Sequence, residues 1–194
     1  DFLKFKALPE SQTLPGEKRR VKALAGAPEI RFADVSFTYP QNNTPTLHNI
    51  SFTIPAGQTV VLAGANGSGK TTLALLLAGL YSPDAGTIYI DGTPTAEWEP
   101  QALRRSIGML FQNYILYNAS LHDNICFGDL QRPKDSSHFR RAAAASGVDT
   151  LAASLPEGYE TPFGTLFRQS HELSVGQWQN IAIARTLFKD APVA

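Results

Sequence analysis

The sequence has little of several things, and each scarcity excludes a class of protein. The single cysteine, Cys126, cannot form an internal disulfide, and a small buried hydrophobe in a reducing compartment is the role we expect for it. No apolar run approaches the ~18 residues that a membrane helix needs. Seventeen basic residues balance seventeen acidic ones, so no overall field draws the chain to nucleic acid or to an anionic membrane.

What is present suits one well-buried globular domain: 194 residues, 43% of them apolar and 18% charged. The chain begins with Asp1 and carries no basic-then-apolar leader, so we expect it to be part of a longer protein. Residues 1–28 hold three prolines, two glycines, six basic and three acidic side chains and no sustained period. This segment is predicted to be a linker.

From residue 29 the pattern alternates between strands and helices. β-branched and aromatic runs predict two antiparallel strands in residues 29–39 and 50–54, and further strands at 58–64, 87–90 and 107–111. Helices are predicted at 71–80, 101–106, 120–128, 135–147 and 148–155 and from Ser174 onward. The SPDAG stretch is expected to end the first of them. The helix at 135–147 is expected to begin at an Asp135 cap and to stop at Gly147. The order predicts an α/β fold with an inserted helical subdomain at about residues 113–173.

The stretch GANGSGKT, residues 64–71, lies between an apolar strand and a helix. Its glycines let the backbone turn tightly enough to aim several N–H groups at one point. The helix start that follows favours an anion, Lys70 would reach the outer phosphates of a nucleotide, and the Thr71 hydroxyl would bind Mg²⁺. A glycine-rich turn with a surface lysine is the alternative, but the flanking strand and helix favour nucleotide binding.

A second glycine site, ELSVGQWQ at residues 172–179, lacks a lysine but begins a helix. Ser174 and Gln177 form the Ser-x-x-Gln capping box, and Gly176 leaves the first-turn amides bare, so a phosphate could approach them. Taken alone, such a site is more often only a capped helix start.

Together these motifs resemble the nucleotide-binding domain of ABC transporters, over residues 29–194. GANGSGKT matches the family's Walker A loop, and LSVGQ matches its LSGGQ signature, with Val175 in place of the first glycine. Tyr39 lies where the family places the aromatic side chain that stacks on adenine, although it could simply pack a β-edge. Gln112 matches the Q-loop glutamine, although it could simply satisfy a turn.

The resemblance implies a P-loop NTPase fold with a RecA-like core, an antiparallel β subdomain and an inserted α-helical subdomain. It implies ATP and Mg²⁺ as cofactors, with Thr71 and Gln112 near the metal. The nucleotide-binding residues it implies are Tyr39, Gly64, Asn66, Gly67, Ser68, Gly69, Lys70, Thr71, Thr72 and Gln112, with Ser174, Gly176 and Gln177 contributed in trans to the ATP of a second nucleotide-binding domain. Trp178, in the signature helix, is expected to pack.

Catalysis is where the sequence stops short. The family takes its metal-positioning aspartate and water-activating glutamate from a strand after the signature, and here LFKDAPVA is the end of the printed sequence. We expect Val193 and Ala194 to begin that strand and the fold to be incomplete at this end. His48, His122, His138 and His171 all precede the place of the switch histidine. No catalytic residue is assigned, beyond a water-positioning role for Gln112, and the fragment alone is predicted to be inactive.

SLHDNICFG, after Gln112, resembles the ATIxENIxFG stretch of exporters that fuse membrane and ATP-binding domains. The expected partners are a second nucleotide-binding domain and a transmembrane domain on the same polypeptide, with no nucleic acid. The expected location is the cytoplasmic face of a membrane, the bacterial plasma membrane. Of the exporters' TEVGExG stretch only Thr161 and Gly164 are kept, which leaves contact with coupling helices open.

Other readings remain. A GTPase would need an Asn-Lys-x-Asp guanine reader, which the sequence lacks. A small-molecule kinase would not need LSVGQ. An ABC protein acting on DNA or ribosomes, a soluble ABC ATPase not involved in transport and a non-hydrolysing ATP-binding ABC subunit stay open. The transported substrate, the direction of transport and the choice between homodimer and heterodimer cannot be read from these residues.

Overall fold

The structure is a computed structural model that describes residues 24, 26–115, 117–133, 137–164 and 173–194. Most of the predicted linker, and also Asp135 and His171, lie outside these ranges. The chain divides into two compact units, Asp1–Arg104 and Arg105–Ala194. Among the described residues no helix is long and apolar enough to cross a membrane.

The first unit is built on a four-stranded antiparallel sheet in the order β2-β1-β3-β4. Its strands are β1 (Ile30–Phe37), β2 (Leu47–Ile54), β3 (Ala85–Ile90) and β4 (Thr93–Pro94). The strands predicted at 29–39, 50–54 and 87–90 are therefore confirmed, because their branched and aromatic side chains pair across neighbouring strands.

The burial pattern of β1 shifts at a bulge. Ile30 and Phe32 are buried, and the register then slips before Val35, so Val35 and Phe37 are buried as well although they stand at odd positions relative to Ile30. Asp34, in the left-handed region at φ 51°, takes up the slip. One face of β1 thereby stays in the core along its full length.

Two helices accompany the sheet: α1 (Lys70–Leu77) and α2 (Pro100–Ser106), the second of which crosses the boundary between the units. Pro100 is the first residue of α2, which includes the helix predicted at 101–106. The end predicted for α1 at SPDAG is wrong. The helix stops at Leu77 because Gly79, at φ 65°, turns the chain and donates to the Leu76 carbonyl.

Two predicted strands are not observed as strands. Residues 58–64 form no ladder, and Val60, Val61 and Leu62 are 45%, 85% and 42% exposed. Of residues 107–111 only Ile107 is bridged, in parallel with Val193. β-propensity marks a segment that suits a sheet, but a strand exists only where a neighbour accepts its backbone hydrogen bonds, and for these residues the described chain offers one bridge.

The second unit is helical. It contains α3 (Leu121–Cys126), α4 (Ser137–Ser146), α5 (Val148–Ser154) and α6 (Val175–Lys189). Helix α6 runs through the middle, and its Ile181, Ala184 and Phe188 are fully buried among side chains of α3, α4 and α5. Gly147, at φ 74°, ends α4 and begins α5, which confirms the predicted stop.

Candidate functional site

The loop of residues 64–68 is exposed and leads into α1, which begins at Lys70. The helix is capped by Gly69, at φ 88°, and receives no side-chain cap. Its first intrahelical bond runs from the Leu73 amide to the Gly69 carbonyl, at 3.0 Å. The amides of Lys70, Thr71 and Thr72 therefore belong to the unsatisfied start of the helix, where an anion is favoured.

Gly69 is fixed by packing as well as by its backbone angle. A Cβ at this position would meet Leu47 Cδ2 at 2.5 Å and the Thr46 carbonyl at 3.3 Å. The loop thus reaches α1 only by passing close over the start of β2, and a residue without a side chain is needed there. Gly67, at φ 81°, also uses the left-handed region.

The Lys70 ammonium is turned onto its own loop. Nζ donates to the carbonyls of Gly64 and Ala65 at 2.8 and 2.7 Å and lies 3.3 Å from Ser68 Oγ. All three ammonium donors are thus directed at the loop that would surround a phosphate. A phosphate entering the loop would offer the same ammonium a charged acceptor, which makes a stronger hydrogen bond than a neutral carbonyl.

Tyr39 lies on the same unit, beside α1. Its hydroxyl is 3.1 Å from Thr72 Oγ1, and Thr72 is buried. The half-buried ring makes edge contacts with Phe37 and Tyr81, at centroid distances of 4.9 and 5.3 Å. Thr71 is exposed at the first turn of the helix. The first unit therefore brings together the adenine-side candidate Tyr39 and the phosphate-side candidates around Lys70.

The signature sequence begins α6 in the second unit as a complete capping box. The Gln177 amide donates to Ser174 Oγ at 3.2 Å, and the Ser174 amide donates to Gln177 Oε1 at 2.8 Å. Ser174, Val175 and Gly176 are exposed. The predicted capping box is confirmed, and it presents the start of a helix of 15 residues to solvent.

Gln112 lies in the same unit, on the wall of a pocket of about 650 Å³. The other lining residues are Leu110, Phe111, Asn113 and Tyr114 from the same segment and Val175 and Gln179 from α6. The structure thus brings Gln112 near the signature helix. Within the described ranges no group of three or more histidine, cysteine, aspartate or glutamate side chains could hold a metal ion.

Sequence reasoning missed the Arg185 cluster, which holds the segment after Gln112 against α3 and α6. The guanidinium donates to the Asn124 carbonyl, the Asn124 side-chain oxygen and the Ile115 carbonyl at 2.8, 3.0 and 2.9 Å. It also lies over the Tyr117 ring, 4.7 Å from its centroid. Burial lowers the pKa of Arg185, and the nearby Tyr117 phenol acts in the opposite direction. No local spacing signals partners 61 and 70 residues apart.

A second missed cluster closes the far end of α6. Asp190 caps the helix at φ 52°, and its Oδ2 lies 3.0 Å from His138 Nε2. Two guanidinium groups, those of Arg132 and Arg141, lie 3.9 and 3.8 Å from the same oxygen. The Asp190 carboxylate lies at the negative end of the helix dipole, and the two guanidinium groups beside it offset that unfavourable charge.

Comparison with known proteins decides the family. The family model described as ABC transporter matches residues 47–194. The chain belongs to the ABC transporter family. An ATP-dependent lipid A-core flippase of Alkalilimnicola ehrlichii is 43% identical over 164 residues, which are 84% of this chain and 27% of the flippase. A Beta-(1-->2)glucan export ATP-binding/permease protein of Rhizobium etli is 38% identical over 193 residues, which are 100% of this chain and 32% of that protein.

A solved structure titled as a bacterial Atm1-family ABC exporter with ATP bound superposes with a TM-score of 0.79 at 34% identity, covering 92% of this ABC chain and 30% of the exporter. A mycobactin import ATP-binding/permease protein of Mycolicibacterium thermoresistibile is 36% identical over 98% of this chain and 32% of its own length. The chain thus spans about a third or less of the length of these relatives. The predicted resemblance to an exporter-type ABC nucleotide-binding domain and the α/β P-loop fold class are confirmed.

Proposed function

We propose that this chain is the ATP-binding part of an ABC exporter, which binds MgATP, closes on a second cassette and is reset by hydrolysis. The observation that carries the proposal is the start of α1. There Lys70, the first three amides of the helix and the exposed glycine loop of residues 64–68 come together. ABC transporter domains generally bind ATP and hydrolyse it, and the family match makes ATP the nucleotide we assign.

The proposal assigns a role to each candidate residue. The backbone of Gly64 to Gly69, including Asn66 and Ser68, surrounds the phosphates, and Lys70 moves from the loop carbonyls to the phosphate oxygens. The amides of Thr71 and Thr72 complete the anion site. Tyr39 offers a ring face to adenine.

Residues fit for the metal are the exposed hydroxyl of Thr71 and the exposed amide oxygen of Gln112. Both are hard oxygen donors, which suit Mg²⁺. When bound, Mg²⁺ would offset the negative charge of the phosphate oxygens. Gln112 would in addition orient a water molecule.

The exposed start of α6 is proposed to act on the nucleotide of the other cassette. Ser174, Gly176 and Gln177 present a capped helix start to solvent, which suits the outer phosphate of an ATP held by a partner. ATP would then stabilise the closed pair and hydrolysis would release it. The pair is either two copies or two related chains.

Two relatives are named ATP-binding/permease proteins, which supports a transmembrane domain on the same polypeptide, joined through residues 1–28, with residues 29–194 as the cassette. The cassette would then lie at the cytoplasmic face of a membrane, the plasma membrane in a bacterium. The printed sequence contains no Asp-Glu pair after Gln177. We therefore expect these 194 residues alone to bind ATP without sustained turnover.

The proposal is tested in the full-length protein with Lys70→Met, which removes the ammonium group and keeps an unbranched side chain of similar length. Because hydrogen bonds from a charged donor contribute about 1.5–3 kcal/mol, ATP affinity should fall by roughly tenfold or more. Equilibrium binding of ATP measures the effect, and steady-state phosphate release reports turnover.

Arg140→Met is the matched control, since it removes an exposed cation from α4. Equal ATP affinity in the parent and Lys70→Met would refute the site. Tight binding without phosphate release in the parent would favour the non-hydrolysing ABC subunit instead.

A further inference from the structure

Tyr114 makes a hydrogen bond that joins the segment after Gln112 to the signature helix. Its hydroxyl donates to the Val175 carbonyl at 3.0 Å, across 61 residues of sequence. The tyrosine is half-buried, and Val175 is the first residue of α6, between the Ser174 cap and Gly176. The acceptor is therefore a main-chain atom at the helix start itself.

The bond from Tyr114 spans an open part of the contact between residues 110–114 and α6. The pocket of about 650 Å³ is lined by residues 110–114 and by Val175 and Gln179 of α6, so open space separates part of the two elements there. The Val175 side chain is 78% exposed, whereas Leu173 and Trp178 on either side of it pack against the core of the unit. A directional hydrogen bond across such a gap fixes a distance and an orientation that loose packing leaves free.

We propose that Tyr114 is a positioning residue for the signature helix, holding the start of α6 in register with the segment that carries Gln112. This inference rests on the proposed function. The Ser174 hydroxyl and the first-turn amides must meet the phosphate of an ATP held by the partner cassette, and contacts of this kind weaken steeply when donor angles change. Tyr114 therefore affects the contact between the start of α6 and the ATP held by the partner cassette. Binding of ATP to the Walker A loop of its own chain is unaffected.

Tyr114→Phe in the full-length protein tests the proposal, because it keeps the ring and removes the donor. The KM for ATP in steady-state hydrolysis should rise about two- to tenfold, the range expected for one lost hydrogen bond. ATP affinity measured without Mg²⁺, where turnover is absent and Walker A binding is read by itself, should stay unchanged. If Tyr114 had a purely structural role, Tyr114→Phe would instead lower the melting temperature and the ATPase activity per milligram of protein, and the KM would not change.

Tyr159→Phe is the matched control. It removes another tyrosine hydroxyl of the same unit, one that donates to the Asp149 carboxylate on α5. Should Tyr114→Phe fold poorly, p-aminophenylalanine at position 114 restores a donor on the same ring and should restore the parental KM, whereas O-methyltyrosine should not.

An unchanged KM in Tyr114→Phe, in a parent protein that hydrolyses ATP, would overturn the positioning role and leave the proposed function standing. Equal KM values for the amino and O-methyl analogues would overturn it too. A parent protein that neither binds nor hydrolyses ATP would overturn the proposed function, and this inference with it.

Discussion

Gly69 shows how much one residue can be constrained by its surroundings. Its φ of 88° lies in the left-handed region that residues with side chains disfavour. A Cβ at this position would lie only 2.5 Å from Cδ2 of the buried Leu47. Gly92 has a comparable φ of 73° with open space around it. The two glycines therefore separate the cost of the backbone angle from the cost of the contact.

We expect Gly69→Ala to destabilise the protein by roughly 2–5 kcal/mol, because it adds an overlap of about 1–3 kcal/mol to a backbone cost of about 1–2 kcal/mol. Gly92→Ala should cost only the backbone part. Melting temperatures of the two variants measure the difference. Equal losses would mean that the loop accommodates the methyl group and that Leu47 does not limit it.

Arg185 is a second residue whose importance for stability comes from contacts with residues distant in sequence. It supplies donors to three oxygens, two of them on Asn124, which is 0% exposed. A buried acceptor that loses its partner keeps its desolvation penalty.

Arg185→Met should therefore lower the free energy of unfolding by roughly 2–3 kcal/mol, because the Asn124 carbonyl loses its Arg185 donor and the Asn124 side-chain oxygen is left with the Tyr117 amide. Arg140→Met, on an exposed face of α4, should change it by less than about 0.5 kcal/mol. Denaturant unfolding compares them. A small effect at Arg185 would show that water replaces the guanidinium at these oxygens.

At the scale of elements, two helices have similar N-terminal caps but differ in the exposure of those caps. Helices α3 and α6 begin in the same way: the Asp123 amide donates to Ser120 Oγ at 3.0 Å, and the Gln177 amide donates to Ser174 Oγ at 3.2 Å. The α3 start is half-buried, whereas the α6 start is exposed. Chemically similar caps thus differ in what they can meet outside the domain.

Ser120→Ala and Ser174→Ala should each cost about 1 kcal/mol of stability, the usual effect of losing an N-cap. Only Ser174→Ala should also raise the KM for ATP in the full-length protein, since only that hydroxyl is proposed to meet a nucleotide. Thermal unfolding and steady-state kinetics on both variants separate the two roles. A KM shift of the same size in Ser120→Ala would show that loss of stability alone explains the effect.

At the scale of the whole molecule, the candidate residues fall into two sets on two units. Tyr39 and the loop ending at Lys70 belong to the first unit, and Gln112 and the start of α6 belong to the second. The proposed function assigns the loop and the signature helix of one chain to two different ATP molecules. Complete sites would then exist only in a pair.

Co-assembly tests this arrangement. Full-length Lys70→Met and Gly176→Asp should each be almost inactive alone, because one lacks the phosphate lysine and the other places a carboxylate beside the phosphate. A pair made of one chain of each keeps one intact site, so an equal mixture should recover about a quarter of the parental turnover if pairing is random. No recovery in demonstrably mixed pairs would contradict sites shared between chains.

Much of the fold and of the site was readable from short-range patterns. The loop before Lys70, the box from Ser174 to Gln177 and the strands around β1 all depend on residues a few positions apart, and such spacing carries its own geometry. The same patterns failed at residues 58–64, because propensity does not report whether a neighbouring strand is present.

The sequence by itself therefore determined the glycine loop before Lys70 and the capped helix start at Ser174, and with them the family. Only the tertiary structure decided which distant groups meet: Tyr114 with Val175, Arg185 with Asn124, and Lys70 with its own loop carbonyls in this conformation. The physical reason is that a cap or a tight turn closes within one turn of chain. A contact across some sixty residues exists only after the packing of whole elements has placed its two ends within hydrogen-bonding distance.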